Sequence, residues 1–151
     1  MKIPLYKQET GWSCGAASMR MVLSALGVKK TEKEIIRLLK TNPIRGTWHK
    51  YFSKTAEKFK FNYITGRRTS TLRQLKNLMK QGYIVVVSYY LKDEKTGHYA
   101  IVKKIDSKYI RLLDPWYGKN TKYTLLYFKK HWHDLMKKYD KERRWFFAVK
   151  K

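Results

Sequence analysis

The chain predicts an α+β fold in which N-terminal helices pack on a C-terminal antiparallel sheet. Three observations point there. Apolar residues recur at helical spacing through the first half of the chain. The period then switches at Tyr83, where a run rich in Val and Ile to Leu91 reads as a buried strand. Helices before strands, with no repeat, low-complexity stretch or Pro/Gly-rich linker between them, describe one unit. We therefore read 1–151 as a single domain, a size that 151 residues suit.

Residues 3–8 read as extended. Over 13–26, Ala17, Met21, Leu23 and Leu26 give an apolar face, and Gly27 supplies a C-terminal stop. Thr31 and Glu34 have capping-box spacing and open a second helix to Lys40, which Asn42-Pro43 breaks. A third helix over 47–60 carries Trp48, Tyr51, Phe52 and Phe59 as its apolar stripe, and a short strand follows over 61–65. Thr71 with Gln74 repeats the capping-box spacing and opens a helix ending at Gln81-Gly82. After the 83–91 strand, strands over 98–105 and 109–114 form an antiparallel meander with it, joined by the tight Asp106-Ser107-Lys108 link. Asp114-Pro115-Trp116-Tyr117-Gly118 reads as a turn. A short strand over 123–126 comes next. A helix over 128–138 then buries Phe128, Trp132 and Leu135 or Met136, and a last strand runs over 145–149.

Hydrophobic residues make up 43% and aromatics 15%, enough for a real core. The longest apolar run has strand length, well short of the ~18 residues of a membrane-spanning helix. The amino terminus, MKIPLYKQET, has no apolar signal-peptide core, so a cytoplasmic protein is expected, with a monomer as the default state. Lys plus Arg is 35 against 11 Asp plus Glu, a net charge of +24. That excess attracts polyanions but does not specify a fold. Nucleic acid is the less favoured partner, because Lys far outnumbers Arg, the residue that pairs bidentately and stacks. Residues 1–28 hold three basic and one acidic residue, so charge does not dominate that segment.

The segment Gln8-Glu-Thr-Gly-Trp-Ser-Cys14-Gly15 carries the chemistry. The lone cysteine excludes an intrachain disulfide and a Cys-rich zinc site. Cys14 falls in the first turn of the predicted helix, where unpaired N–H groups and the positive dipole end favour a thiolate. Gly15 leaves the approach to the sulfur open. Gln8 can supply a side-chain N–H₂ that, with the Cys14 backbone N–H, makes an oxyanion hole. Of His49, His98, His131 and His133, His98 suits a base best, because a strand holds its ring rigidly. His131 and His133 lie two apart on a helix and face different ways, so no metal site is expected there. His49 reads as a surface or packing residue. Asp114 ends the neighbouring strand and suits the carboxylate that fixes the base, since an ionised Asp after Ile110-Arg-Leu-Leu113 is costly to bury without a partner. Trp12, Gly15, Gly97 and Trp116 flank these residues and are candidates for the walls of a substrate groove. Core packing suits the two tryptophans nearly as well. No cofactor or metal is called for.

Side-chain alternation constrains this site. His98 and Asp114 share a face only if the link between their strands has odd length, or if a bulge compensates. A strict two-residue turn at Ser107-Lys108 places them on opposite faces. With Asp106 to Lys108 as a three-residue link, Ala100 faces Asp114.

Taken together, Gln8…Cys14-Gly15, Gly97-His98-Tyr-Ala-Ile-Val, Leu113-Asp114-Pro115-Trp116 and the trailing Phe128…Trp132 resemble the bacteriocin-processing, double-glycine-type cysteine peptidases of the papain-like superfamily. The order and spacing of elements match along nearly the whole chain, while 29–82 match only as generic helices. The resemblance implies a papain-like fold, a peptide or protein substrate, and a thioester acyl-enzyme. It gives Cys14 the role of nucleophile, His98 that of base, Asp114 that of orienter and Gln8 that of oxyanion donor. Members attached to export transporters cleave after Gly-Gly leaders, and this sequence shows no transporter segment. Two other readings use the same features: deamidation or transpeptidation by the same triad, and an inert papain-like scaffold that binds nucleic acid or an acidic protein.

Overall fold

The computed structural model describes residues 2–133 and 142–151. Its elements are α1 (Cys14–Ala25), α2 (Glu32–Leu38), α3 (Lys50–Lys58), β1 (Asn62–Gly66), α4 (Leu72–Lys80), β2 (Ile84–Leu91), β3 (Thr96–Ile105), β4 (Tyr109–Asp114), β5 (Gly118–Thr124), α5 (Leu125–His131) and β6 (Phe146–Lys150). The strands form one sheet in the order β1-β6-β2-β3-β4-β5, with every neighbouring pair antiparallel.

Both faces of this sheet are covered, which explains the unbroken apolar run of β2. Ile84 and Val86 pack with α1, α2 and α3 through residues such as Met21, Ile35 and Phe52. Val85, Val87, Tyr89 and Leu91 point the other way, into a second core with Leu75 of α4, Phe128 of α5 and Trp132. The expected helices-on-sheet arrangement is thus a three-layer one. The first three helices lie on one face, and α4 and α5 lie on the other. β1 also comes from the N-terminal half and joins the sheet beside β6.

The Thr31–Glu34 capping box is present in both directions. Thr71 caps α4 by accepting from the Gln74 backbone N–H. Gly27 follows α1 with φ +90°, a conformation that glycine adopts without steric cost.

Four expectations need correction. Trp48 is not part of the α3 stripe: the helix starts at Lys50, and Trp48 lies outside it, 49% exposed. The strand expected over 123–126 is longer and earlier, because the turn after Asp114 leads straight into β5 at Gly118. Thr124 then caps α5 through the Tyr127 N–H, so the helix begins at Leu125 and ends at His131. The helix expected to Lys138, with Leu135 and Met136, falls partly on residues 134–141, outside the described residues.

The fourth correction concerns register. Ile105 pairs with Ile110, and the Asp106 N–H donates to the Tyr109 carbonyl at 3.0 Å, so the β3–β4 link is the strict two-residue turn. Asp106 fixes it by accepting from the Lys108 and Tyr109 N–H groups, both at 2.8 Å. The three-residue link therefore does not form. A bulge between Val102 and Lys104 absorbs one residue of β3 instead. Beyond it, Val102 pairs with Leu112 and Ile101 with Leu113. That register, continued by one step, sets Ala100 opposite Asp114.

Candidate active site

Cys14 is the first residue of α1. Ser13 precedes it at the N-cap position but makes no side-chain cap bond, and no acidic residue sits in the first turn. The positive end of the helix is therefore not claimed by a side chain of its own. The Ser13 hydroxyl is engaged elsewhere. It accepts from the Thr10 backbone N–H at 3.2 Å and hydroxyl at 2.8 Å, and it donates to Glu32 Oε2 at 3.1 Å.

His98 lies on β3 directly opposite Tyr89 of β2. Its Nε2 meets Asp114 Oδ1 at 2.7 Å, and both side chains are buried. This engages Nε2 and leaves Nδ1 for the sulfur of Cys14, whose hydrogen bond and charge also act on His98. Burial opposes the imidazolium. The hydrogen bonds and charges of Asp114 and Cys14 overcome that opposition and push His98 up to about 10.

Asp114 collects four donors. Besides His98, Oδ1 accepts the backbone N–H groups of Trp116 at 2.8 Å and Tyr117 at 2.9 Å, and Oδ2 accepts the Tyr89 hydroxyl at 2.5 Å. Burial acts to raise this carboxyl, but the His98, Tyr89 and Tyr117 contacts win and hold it below the usual carboxylate range. Tyr89 is itself held neutral, first by burial and then by the Asp114 charge.

Gln8 is tied to the same region. Its backbone N–H donates to the Pro115 carbonyl at 2.8 Å, which pins the N-terminal segment against the turn after Asp114. Lys7 Nζ adds a bond to the Trp116 carbonyl at 3.0 Å. The Gln8 Nε2 donates one N–H to the Thr10 carbonyl at 2.8 Å and retains a second, while its Oε1 is buried without a hydrogen-bond partner among the described residues.

Thus the structure brings His98 and Asp114 into a direct hydrogen bond, with Cys14 near enough to act on the His98 ring and the Gln8 backbone bonded to the turn after Asp114. Trp12 is half-buried in the loop before Cys14, and Gly97 precedes His98 on β3. Trp116 is exposed in the turn that wraps the carboxylate. Gly15 plays a different part from the open approach expected of it. A Cβ there would meet Thr47 Oγ1 at 2.5 Å, so the missing side chain lets α1 pack closely against Thr47 and Tyr99. The Tyr99 hydroxyl holds that segment by donating to the Thr47 carbonyl at 2.7 Å. His49 is a packing residue, stacked on Trp145 at 4.1 Å and bonded through Nδ1 to the Tyr99 hydroxyl. Among the described residues, no group of three His, Cys, Asp or Glu could hold a metal ion.

Sequence reasoning missed two residues that hold the site. One is Tyr89, whose hydroxyl is concealed in an otherwise apolar strand. The other is Glu32, 1% exposed on α2, whose carboxylate accepts the Glu9 N–H at 3.2 and 3.0 Å as well as the Ser13 hydroxyl. Glu32 spans the loop between Gln8 and Cys14, and burial leads the effects that raise its carboxyl. In the sequence it is indistinguishable from an ordinary acid in the first turn of a helix. A cavity of about 250 Å³ is lined by Tyr89, Tyr90, Tyr117, Tyr123 and Tyr127 with Leu91, Lys92 and Asp93.

The fold has solved counterparts. The peptidase domain of Streptococcus ComA, a bi-functional ABC transporter involved in a quorum-sensing pathway, superposes with a TM-score of 0.72 at 19% identity, covering 99% of this chain and 97% of that one. A double glycine motif protease from an AMS/PCAT transporter, in complex with the leader peptide, gives 0.67 at 16% identity, with 98% and 89% covered. By sequence, an uncharacterized protein of Methanothermobacter thermautotrophicus is 29% identical over 114 residues, 76% of this chain and 72% of that protein. Residues 2–142 match the Peptidase C39 family, so the chain belongs to that family and is a cysteine peptidase of papain-like fold.

Proposed function

We propose that the chain, as a single domain over 1–151, hydrolyses a peptide through a thioester on Cys14. His98 Nδ1 holds the proton taken from Sγ as an ion pair, and the sulfur attacks the scissile carbonyl carbon. The resulting oxyanion is held by the Cys14 backbone N–H and the second N–H of Gln8 Nε2. The C–N bond then breaks as His98 returns its proton to the leaving amine. Water, deprotonated by His98, attacks the thioester and restores the thiol and the free carboxylic acid. Asp114 keeps the His98 ring oriented throughout and stabilises its cationic form.

One observation carries this reading: the buried His98 bonds Asp114 through Nε2 at 2.7 Å, and Cys14, at the start of α1, lies near enough to act on the same ring. The leader peptide bound by the AMS/PCAT protease supports a peptide as the substrate class. Two measurements test the proposal. Iodoacetamide should modify Cys14 fast at neutral pH, and His98→Ala should slow it strongly; equal rates in the two proteins refute the activated thiol. Incubation with a peptide library, followed by mass spectrometry, should give cleavage products with the wild type and none with Cys14→Ala. Mass gains of one dalton or joined peptides would indicate deamidation or transfer instead.

A further inference from the structure

The loop between α2 and α3 combines features that the peptidase chemistry does not use. Its ends are closed by reciprocal backbone bonds between Asn42 and Gly46, at 3.2 and 2.9 Å. The Asn42 side-chain oxygen accepts the Ile44 and Arg45 N–H groups, each at 3.0 Å. A buried pair of hydroxyls, Thr41 and Thr47 at 2.6 Å, anchors the base. At the tip of this braced loop Ile44 is 97% exposed, and Trp48 follows it, half-exposed. Cations surround them. Arg45 lies 4.1 Å over the Trp48 ring, and Lys50 lies 4.9 Å from it. Lys40 and Lys54 approach the neighbouring Tyr51 ring at 5.7 and 5.5 Å. No acidic residue occurs between Glu34 and Glu57.

We propose that this loop is a docking device for an anionic lipid bilayer. Ile44 and the exposed part of Trp48 enter the boundary between headgroups and acyl chains, while Lys40, Lys50 and Lys54 remain among the lipid phosphates. Such a division matches the chemistry of an interface, where an apolar body and a cationic rim are both satisfied. A nucleic acid suits the loop less well. It offers nothing to a projecting aliphatic side chain, and Arg45 and Lys50 already lie against the Trp48 ring on which a base would stack. An acidic protein would need a pocket for Ile44, whereas a bilayer deforms around it. The net charge of +24 supplies long-range attraction toward the same surface. The loop also borders the nucleophile: Thr47 packs on Gly15, and Gly46 approaches the Trp12 carbonyl. Docking would therefore bring the Cys14 end of the molecule to the membrane.

The experiment is sedimentation of the full chain with phosphatidylcholine vesicles, either pure or containing about 30% phosphatidylglycerol, at physiological ionic strength. It does not depend on catalysis. Wild type should bind the anionic vesicles and not the neutral ones. Ile44→Asp should weaken that binding by roughly tenfold or more. Leu126→Asp makes the same charge change at another exposed aliphatic residue, 66% exposed on α5, and should bind like wild type. Brominated lipid should quench a tryptophan signal that Trp48→Phe removes. Equal binding by the two Asp variants would show that general charge is responsible and would overturn the proposal. So would absence of binding to anionic vesicles, or no Trp48-dependent quenching.

Discussion

Replacing Tyr89 by Phe removes a single oxygen from the interior and leaves one side of the Asp114 carboxylate without its donor. The hydroxyl lies 2.5 Å from Oδ2, and the ring is fully buried. The contact of this hydroxyl with the Tyr123 hydroxyl is long at 3.5 Å and offers little compensation. A hydrogen bond to a charged group contributes about 1.5–3 kcal/mol, and that is the expected loss at neutral pH. For a chain of this length it corresponds to a fall in Tm of roughly 3–12 °C. The pH dependence makes the test specific. Asp114 is held below its ordinary range, so its contribution is present above the unfolded value near 3.9 and is lost as pH falls through the lower folded value. Without Tyr89 the folded value rises toward the unfolded one. The gap between wild type and Tyr89→Phe should therefore be constant above about pH 4–5 and narrow in more acid solution. Urea unfolding across that range reads it directly. Equal midpoints at neutral pH, or a gap that stays the same in acid, would refute the claim that this hydroxyl stabilises the ionised carboxylate. His98 keeps its bond to the other oxygen, so alkylation of Cys14 should slow by less than about tenfold.

Three other perturbations probe how the site is held. Glu32→Gln turns an N–H₂ group toward the Glu9 N–H or drops an acceptor, loosening the Gln8–Ser13 loop; peptide turnover should fall about tenfold or more, while iodoacetamide alkylation, which forms no oxyanion, changes less than about twofold. Equal losses in both assays would mean that Glu32 acts on the whole fold. Gly15→Ala forces a Cβ into Thr47 and should cost about 1–3 kcal/mol by urea unfolding, whereas Gly11→Ala, with nothing within 4 Å, should stay within about 0.5 kcal/mol of wild type. Deleting Lys103 removes the residue that the bulge absorbs and leaves Lys104–Arg111 and Val102–Leu112 as consecutive pairs, so His98-dependent alkylation of Cys14 should survive it; loss of that reactivity would show that the bulge shapes the site beyond register.

Much of the fold was legible because the relevant signals are local. Capping residues Thr31 and Thr71, the stop at Gly27 and the apolar run of β2 each act within a few residues, and each element they mark is present. Element ends failed where two local signals competed. Thr124 is both a good strand residue and a good helix cap; the cap prevails, and Leu125 and Leu126 become helix rather than strand. Trp48 looked like a core aromatic because its spacing to Tyr51 and Phe52 is helical. The chain enters α3 only at Lys50, so the spacing does not apply to it. The four proposed site residues are legible because their chemistry lies in their own side chains. Tyr89 and Glu32 escaped because their importance lies in what they touch. Glu32 is 23 positions from the backbone it grips, and Tyr89 is 25 from its carboxylate.

The relation between His98 and Asp114 lies between these cases. Alternation alone required that something offset a two-residue turn, and it allowed either a longer link or a bulge. The choice was made by Asp106, whose carboxylate accepts two successive N–H groups and locks the tight turn. Once the turn is tight, β3 carries one residue too many for its core positions. Ile105 and Val102 must both face the α4–α5 core although their numbers differ in parity, and Ile101 must face the other core with Leu113. Burial of these side chains outweighs the broken pairing at Lys103, an exposed residue that loses no packing by looping out. The placement of His98 on the same face as Asp114, within hydrogen-bond reach of it, is thus a consequence of hydrophobic register several residues away. Substitutions at Val102 or Ile105 should accordingly disturb the His98–Asp114 pair without touching either residue.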